Sequence, residues 1–304
     1  GVIYESRPQV TVDISTLCIK SGNAVILRGG KEAIASNTAL TKLVRESLAS
    51  SGLPEDIVQI IESTDRAVVG KILKMKDVID LIIPRGGQDL VRRVSEEATM
   101  PAITGGIGVC HTYVDDSADL DMARAIIVNA KVQRPTVCNA LDTILVHSNI
   151  ASQLLPLLAK DLSEYQVELH CDPSSLEILN PEITGIILKE AMEDDWGKEF
   201  LSLVAAVKIV DSVESAIDHI ATYGSGHSDA IVTEDTESAA RFLNEVDSCA
   251  VYLNASTRFT DGAEFGMGAE VGISTQKFHA RGPMGLRELT SYKWLVRGTG
   301  QIRS

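Results

Sequence analysis

Cys138 is the residue of this sequence whose surroundings best suit a nucleophile. It follows Gln133-Arg134-Pro135-Thr136-Val137, and Pro135 forces a turn after the helix expected over 119–132. A following helix N-terminus, with Lys131 and Arg134 nearby in sequence, would lower the thiol's pKa and supply thiolate. The other reading of the same residue is a small buried apolar side chain. Cys18, among Ile14, Leu17 and Ile19, and Cys249, before Ala250 and Val251, read as core. Cys110-His111 and His170-Cys171 place thiol beside imidazole, but neighbours on a strand point to opposite faces. The histidines show no H-x-x-x-H or H-E-x-x-H spacing, so no metal site is expected. No G-x-S-x-G or P-loop string occurs.

A second kind of chemistry lies in two repeated turns. Arg28-Gly29-Gly30 and Arg85-Gly86-Gly87 each close an apolar run. Glycine permits close backbone approach, and arginine offers a forked donor to phosphate. Without a G-x-G-x-x-G string, the two remain either nucleotide turns or ordinary strand-to-helix turns.

The elements that must position these groups alternate. Apolar runs at 23–27, 57–61 and 80–83 read as strands, and 32–51, 65–75 and 88–98 as helices. A second section gives strands at 109–114, 185–188, 206–210 and 250–254, with a new element at 140–146. Its helices are expected at 119–132, 151–164, 213–223 and 238–246. Such alternation predicts an α/β fold with doubly wound parallel sheets, whose ligands bind beyond the carboxyl ends of the strands. The glycine-rich stretch from Ser256 to Leu286 is expected to be a long loop forming a ligand-binding wall.

Composition bounds the partners. The chain has 304 residues, enough for about two domains. Its net charge of −14 argues against nucleic acid or an anionic membrane as a bulk partner. No apolar run reaches the ~18 residues of a membrane span. Five scattered cysteines without C-x-x-C suit free thiols in a reducing cytoplasm. The sequence opens at Gly1-Val2-Ile3-Tyr4 inside a β-like run, which we read as a chain whose earlier part lies outside this numbering.

Long strings carry a resemblance beyond this physics. Residues 1–8, 20–30 and 83–87, then Gly108-Val109-Cys110-His111-Thr112-Tyr113-Val114-Asp115 and 129–135, resemble the γ-glutamyl phosphate reductases (glutamate-5-semialdehyde dehydrogenases) of the aldehyde dehydrogenase superfamily. So do 227–231, 254–262 and His279-Ala280-Arg281-Gly282-Pro283. The resemblance covers essentially the whole chain and leaves unmatched only a family segment preceding Gly1.

It implies an aldehyde-dehydrogenase-like fold with a Rossmann-like cofactor domain and an α/β catalytic domain. Residues 1–104 would form the cofactor domain, incomplete at its N-terminus, 105–285 the catalytic domain, and 286–304 a C-terminal return or oligomerisation segment. The implied reaction is NADPH-dependent reduction of L-glutamate 5-phosphate to L-glutamate 5-semialdehyde and phosphate, through a thioester on Cys138, in proline biosynthesis. Arg28, Gly29, Gly30, Arg85, Gly86, Gly87 and Glu199 would hold the cofactor. Arg134, Arg258 and Arg281 would meet the substrate's anions. Gln9 stands where relatives often have an asparagine, and its amide would help hold the oxyanion. Ile103-Thr104 precede Gly105-Gly106 where hydrolytic relatives carry a glutamate base. The resemblance also implies a cytoplasmic homo-oligomer, no metal, and functional coupling to glutamate 5-kinase. The alternatives are another acyl-phosphate or aldehyde dehydrogenase, or a truncated chain that folds without turnover.

Overall fold

The computed structural model describes residues 1–105, 107–179 and 185–303. Gly106, second of the expected glycine pair, therefore lies outside the described residues.

The first section runs β1 (Val2–Tyr4), α1 (Gln9–Ser21), β2 (Val25–Arg28), α2 (Ile34–Ser50), β3 (Val58–Ile60), α3 (Ala67–Ile72), β4 (Ile83–Arg85) and α4 (Gln88–Glu97). Its four strands are parallel, in the order β3-β2-β1-β4. The two-residue alternation of β1 shows how both faces are covered. Val2 and Tyr4 pack with Ile14 and Leu17 of α1 and Leu48 of α2. Ile3 packs on the other side with Val69, Ile72 and Val94 from α3 and α4. A parallel sheet buried on both faces needs this sandwiching.

The second section runs β5 (Cys110–Val114), α5 (Leu120–Val132), β6 (Leu141–His147), α6 (Ser148–Ser163), β7 (Glu168–Cys171), α7 (Pro173–Ile178), β8 (Ile187–Glu190) and β9 (Val204–Val210). It ends with α8 (Val213–Tyr223), β10 (Ser228–Val232), α9 (Thr236–Glu245) and β11 (Ala250–Leu253). Seven parallel strands lie in the order β11-β10-β5-β6-β9-β7-β8. Residues of α5 and α6 cover one face, with Ile127, Leu154 and Leu158 against Ile144. Residues of α8 and α9 cover the other, with Ile217, Ile220 and Phe242 against Tyr113 and Leu145. Asp119, Ser212 and Asp235 cap α5, α8 and α9 by accepting a backbone N–H of the first turn, each worth ~1 kcal/mol.

Three expectations are corrected. The strand placed at 80–83 lies at Ile83–Arg85 and contains Pro84; β4 is an edge strand, where a residue without an N–H is tolerated. The element after Cys138 is the strand β6, so no helix N-terminus follows the thiol. The glycine-rich stretch is not structureless: β12 (Gly272–Ser274) pairs antiparallel with β13 (Gly282–Met284).

Candidate active site

Cys138 sits in the connection from α5 to β6, at the amino end of the second sheet. Its main chain is held from three sides. The Cys110 thiol, at the start of β5, donates to the Cys138 carbonyl at 3.2 Å. Gly108 packs so closely that a Cβ there would lie 1.7 Å from the same oxygen. Next in the chain, Asn139 donates to the carbonyls of Thr260 (2.9 Å) and Arg258 (3.3 Å), and its own carbonyl accepts from Thr257 Oγ1 at 2.8 Å. The 257–260 turn is thereby fastened beside the thiol.

The thiol is half-buried, and burial pushes its pKa up to about 11; Glu199 and Glu270 push the same way, and Arg85 opposes them. The expected lowering is therefore overturned. Lys131 does not serve the thiol either. It follows Ile127 by one helical turn, on the inward face of α5, and is fully buried. Its ammonium donates to the Leu141 carbonyl at 2.7 Å and lies 3.7 Å from Asp142 Oδ1. A pKa raised this far keeps Cys138 as the thiol at neutral pH.

Glu199 stands opposite. It is half-buried in the loop before β9, and its Oε1 accepts the Gly108 N–H at 3.0 Å. The next residue, Phe200, donates its N–H to Asp142 Oδ1 at 3.0 Å. A cavity of about 430 Å³ lies beside these groups, lined by Gln88, Val91 and Arg92 of α4, by Thr104, Ile107 and Val109, and by Gly224 and Ser225. It is within the usual size of ligand sites. A larger cavity of about 670 Å³, between α5 and α6, shares only Gln133 with the surroundings of Cys138.

The two Arg-Gly-Gly turns lie at the carboxyl ends of β2 and β4, on either side of β1. Glu5, just after β1, joins them: its carbonyl accepts the Gly30 N–H (3.3 Å) and its carboxylate accepts the Gly87 N–H (3.1 Å). A Cβ on Gly29 would strike Asn37 Nδ2 at 2.1 Å, and one on Gly86 would strike Glu5 Cδ at 2.5 Å. The arginines diverge. Arg28 is buried and donates to the carbonyls of Thr64 (3.0 Å) and Asp65 (3.4 Å), while its buried Nε has no partner. Arg85 crosses to the second sheet's side: a Cβ on Gly272 would lie 2.6 Å from its Nη1, and its charge acts on Cys138 and Glu270.

Of the three anion-binding candidates, two come together. Arg258 is half-buried, donates from Nε to Gln133 Oε1 at 3.0 Å and from Nη1 to Asn139 Oδ1, and feels the charge of exposed Arg134. Arg281 is exposed and bound to Asp247 through its carbonyl (2.9 Å) and Oδ1 (2.8 Å). Gln9 is exposed at the first position of α1. No group of acidic, histidine and cysteine side chains suited to a metal occurs among the described residues, and none of their helices is long and apolar enough to cross a membrane.

Three residues of the site escaped the sequence reading. Glu270 accepts the Gly262 N–H at 2.9 Å, and burial raises its pKa beside Cys138. Asp142 and Glu5 tie the loops described above. A carboxylate four residues beyond Cys138, at the start of a mainly apolar strand, was the one available signal for Asp142.

The aldehyde dehydrogenase family matches residues 10–178. The chain is 60% identical over 303 residues to a γ-glutamyl phosphate reductase of Dehalococcoides mccartyi, the match covering 100% of this chain and 71% of the relative. The crystal structure of the γ-glutamyl phosphate reductase of Thermotoga maritima superposes with a TM-score of 0.95 at 48% identity, covering 100% of this chain and 72% of that one. An engineered glycolyl-CoA reductase with bound NADP+ shares the fold at a TM-score of 0.70 and 19% identity, over 94% of this chain and 72% of that one. The chain belongs to the γ-glutamyl phosphate reductase family of aldehyde dehydrogenases.

Proposed function

We propose that the chain reduces L-glutamate 5-phosphate to L-glutamate 5-semialdehyde with NADPH, using Cys138 as nucleophile. The observation that carries this reading is the thiol itself, its backbone clamped by Gly108, Cys110 and Asn139 at a rim that also holds Arg258 and Arg134. The sulfur attacks the acyl carbon, the C–O bond to phosphate breaks, and the departing phosphate carries away the thiol proton. The thioester on Cys138 is the product of this half-reaction. Arg258 and Arg134 supply positive charge for the leaving phosphate. Backbone N–H groups beside Cys138, with the Gln9 amide, hold the oxyanion. Ile103 and Thr104 are buried before Gly105, and neither side chain is a base for water, so the thioester is protected from hydrolysis.

The nicotinamide cofactor used by aldehyde dehydrogenases fits the residues present. The cavity of about 430 Å³ lies between α4 and the start of β5 and suits the nicotinamide end. Glu199 would take the adjoining ribose, and the two glycine turns, with the unpartnered Arg28 Nε, would take the rest. When bound, the cofactor supplies the hydride that converts the thioester to aldehyde and returns the thiol. The NADP+ held by the glycolyl-CoA reductase of the same fold favours the phosphorylated dinucleotide.

The product semialdehyde cyclises on the way to proline, and the acyl phosphate would come from a glutamate 5-kinase. Residues 1–104 would act as the cofactor domain, 105–285 as the catalytic domain and 286–304 in oligomerisation. Exposed Tyr292, Trp294, Leu295 and Val296 support a homo-oligomer. The five free thiols suit a reducing cytoplasm. The test is NADP+-dependent oxidation of glutamate semialdehyde with phosphate present, for this chain and for Cys138→Ala. Phosphate-dependent turnover that is lost in the variant is expected. Turnover retained by Cys138→Ala, or none by the folded parent, would refute the proposal.

A further inference from the structure

We infer that the buried Lys131–Asp142 pair is a positioning device that fixes the Glu199 turn and, through it, the place of a carboxylate facing the Cys138 thiol. The inference rests on the reading of Cys138 as nucleophile and adds two residues that touch neither substrate nor cofactor.

The contacts close a ring. Cys138 leads by four residues into Asp142 on β6. Asp142 Oδ1 accepts the Phe200 N–H at 3.0 Å. Glu199, adjacent in the chain, accepts the Gly108 N–H at 3.0 Å, and Gly108 packs back on the Cys138 carbonyl. Lys131 completes the support: its ammonium is 3.7 Å from Asp142, 2.7 Å from the Leu141 carbonyl and 5.9 Å from the centroid of the Phe200 ring. Lys198, 5.3 Å from that centroid, and edge-on His170 at 5.5 Å hold the ring from outside. Leu201 adopts φ 52°, the left-handed region, which costs a β-carbon residue ~1–2 kcal/mol. The turn therefore keeps its shape because neighbours impose it.

Stability alone does not account for the pair. Both side chains are buried, Lys131 at 0% and Asp142 at 2% exposure. A buried ion pair is often no more stabilising than apolar residues of the same volume. What an apolar pair cannot do is accept the Phe200 N–H. The charged and titratable groups facing Cys138 are Glu199, Glu270, Arg85, Cys110, Cys249 and Arg258. Among these, the pair holds Glu199 through the Phe200 N–H and Cys110 through its own backbone N–H on Asp142.

The test is the pH profile of Cys138 alkylation by iodoacetamide, followed at that residue by peptide mass spectrometry. It compares the parent, Asp142→Leu, which removes the acceptor, Glu199→Gln and the double variant between pH 8 and pH 11. Asp142, raised by burial to about 6, stays ionised throughout that range in the parent, whereas burial lowers Lys131 from 10.5 and pushes Cys249 up to about 11, so variants are compared with the parent at each pH. Asp142→Leu is expected to shift the profile by half a pH unit or more, about threefold in rate at fixed pH. In the Glu199→Gln background the same change is expected to shift the profile by less than half as much, the remainder coming through Cys110. An equal shift in both backgrounds, or none in either, overturns the inference. If Asp142→Leu alone does not fold, Lys131→Met/Asp142→Leu removes both charges and the acceptor together and is read against Glu199→Gln in the same way. Alkylation needs no substrate, so failure of the proposed reaction and failure of this inference are separately visible.

Discussion

Replacing Gly108 by alanine puts one methyl group at the tightest point of the site. The new Cβ would lie 1.7 Å from the Cys138 carbonyl oxygen, 2.5 Å from its carbon and 2.7 Å from Cα. All three are backbone atoms, so no rotamer relieves the clash. Restoring an ordinary contact of 3.4 Å requires the two main chains to separate by about 1.7 Å. The φ of Gly108 lies outside the left-handed region, so the cost comes from contact alone. The separation also strains the Gly108 N–H···Glu199 bond, which is worth ~1.5–3 kcal/mol for a charged acceptor. A displacement of ~1 Å in a reacting group costs on the order of 100-fold in rate. Gly108→Ala should therefore lower kcat/KM for phosphate-dependent semialdehyde oxidation by ~100-fold or more, while overpacking removes only ~1–3 kcal/mol of stability. Steady-state kinetics beside a thermal melt would check both. A folded variant within threefold of the parent kcat/KM would show that this backbone contact does not set the reactive geometry.

Further outcomes are expected elsewhere. Burial lowers His219 to about 3 and His227 to about 4, from 6.5. Neutral in the fold, both contribute fully above pH 6.5 and lose that contribution as pH falls toward those values. At ~1.4 kcal/mol per unit, urea unfolding at pH 4.5 should show a loss of a few kcal/mol against pH 7; an unchanged midpoint would contradict it. Arg258→Ala should raise the KM for phosphate by about tenfold or more, with Arg258→Lys recovering part of it; equal KM values in all three proteins would remove Arg258 from the anion site. Asp119→Ala deletes the cap accepting the Met122 N–H at 2.8 Å and should cost ~1 kcal/mol without touching kcat, as melts and kinetics together would show.

The sheets were legible because apolar runs alternate with helical periods, and such alternation admits few arrangements. Errors fell where local rules compete. The strand expected at 80–83 stops short of Pro84, yet Pro84 sits within an edge strand that needs no N–H from it. Helix α1 went unnamed although Ile14, Leu17 and Cys18 carry its period. The rule that ligands bind at carboxyl ends of strands suits the glycine turns of the first sheet. It fails for Cys138, which precedes β6. Lys131 was assigned to the thiol by proximity in sequence, whereas its spacing from Ile127 turns it inward. The charges of Glu270 and Arg85 act on Cys138 from distant segments, and no local pattern announces a proximity of that range. The thiol's raised pKa has the same origin, since burial depends on what the rest of the chain places over it.

Glu5 has a consequence for anyone who would re-engineer this protein. One residue after the central strand β1, it serves both neighbouring turns, Gly30 through its carbonyl and Gly87 through its carboxylate. Each turn looks like a separable cassette in the sequence, but they share a fastening. A loop transplanted at 28–30 changes the support of 85–87, and a side chain introduced at Gly86 meets Glu5 before it meets any ligand. Libraries that vary the two turns independently will sample mostly broken combinations, whereas libraries that let position 5 vary with them will keep the edge of the sheet intact.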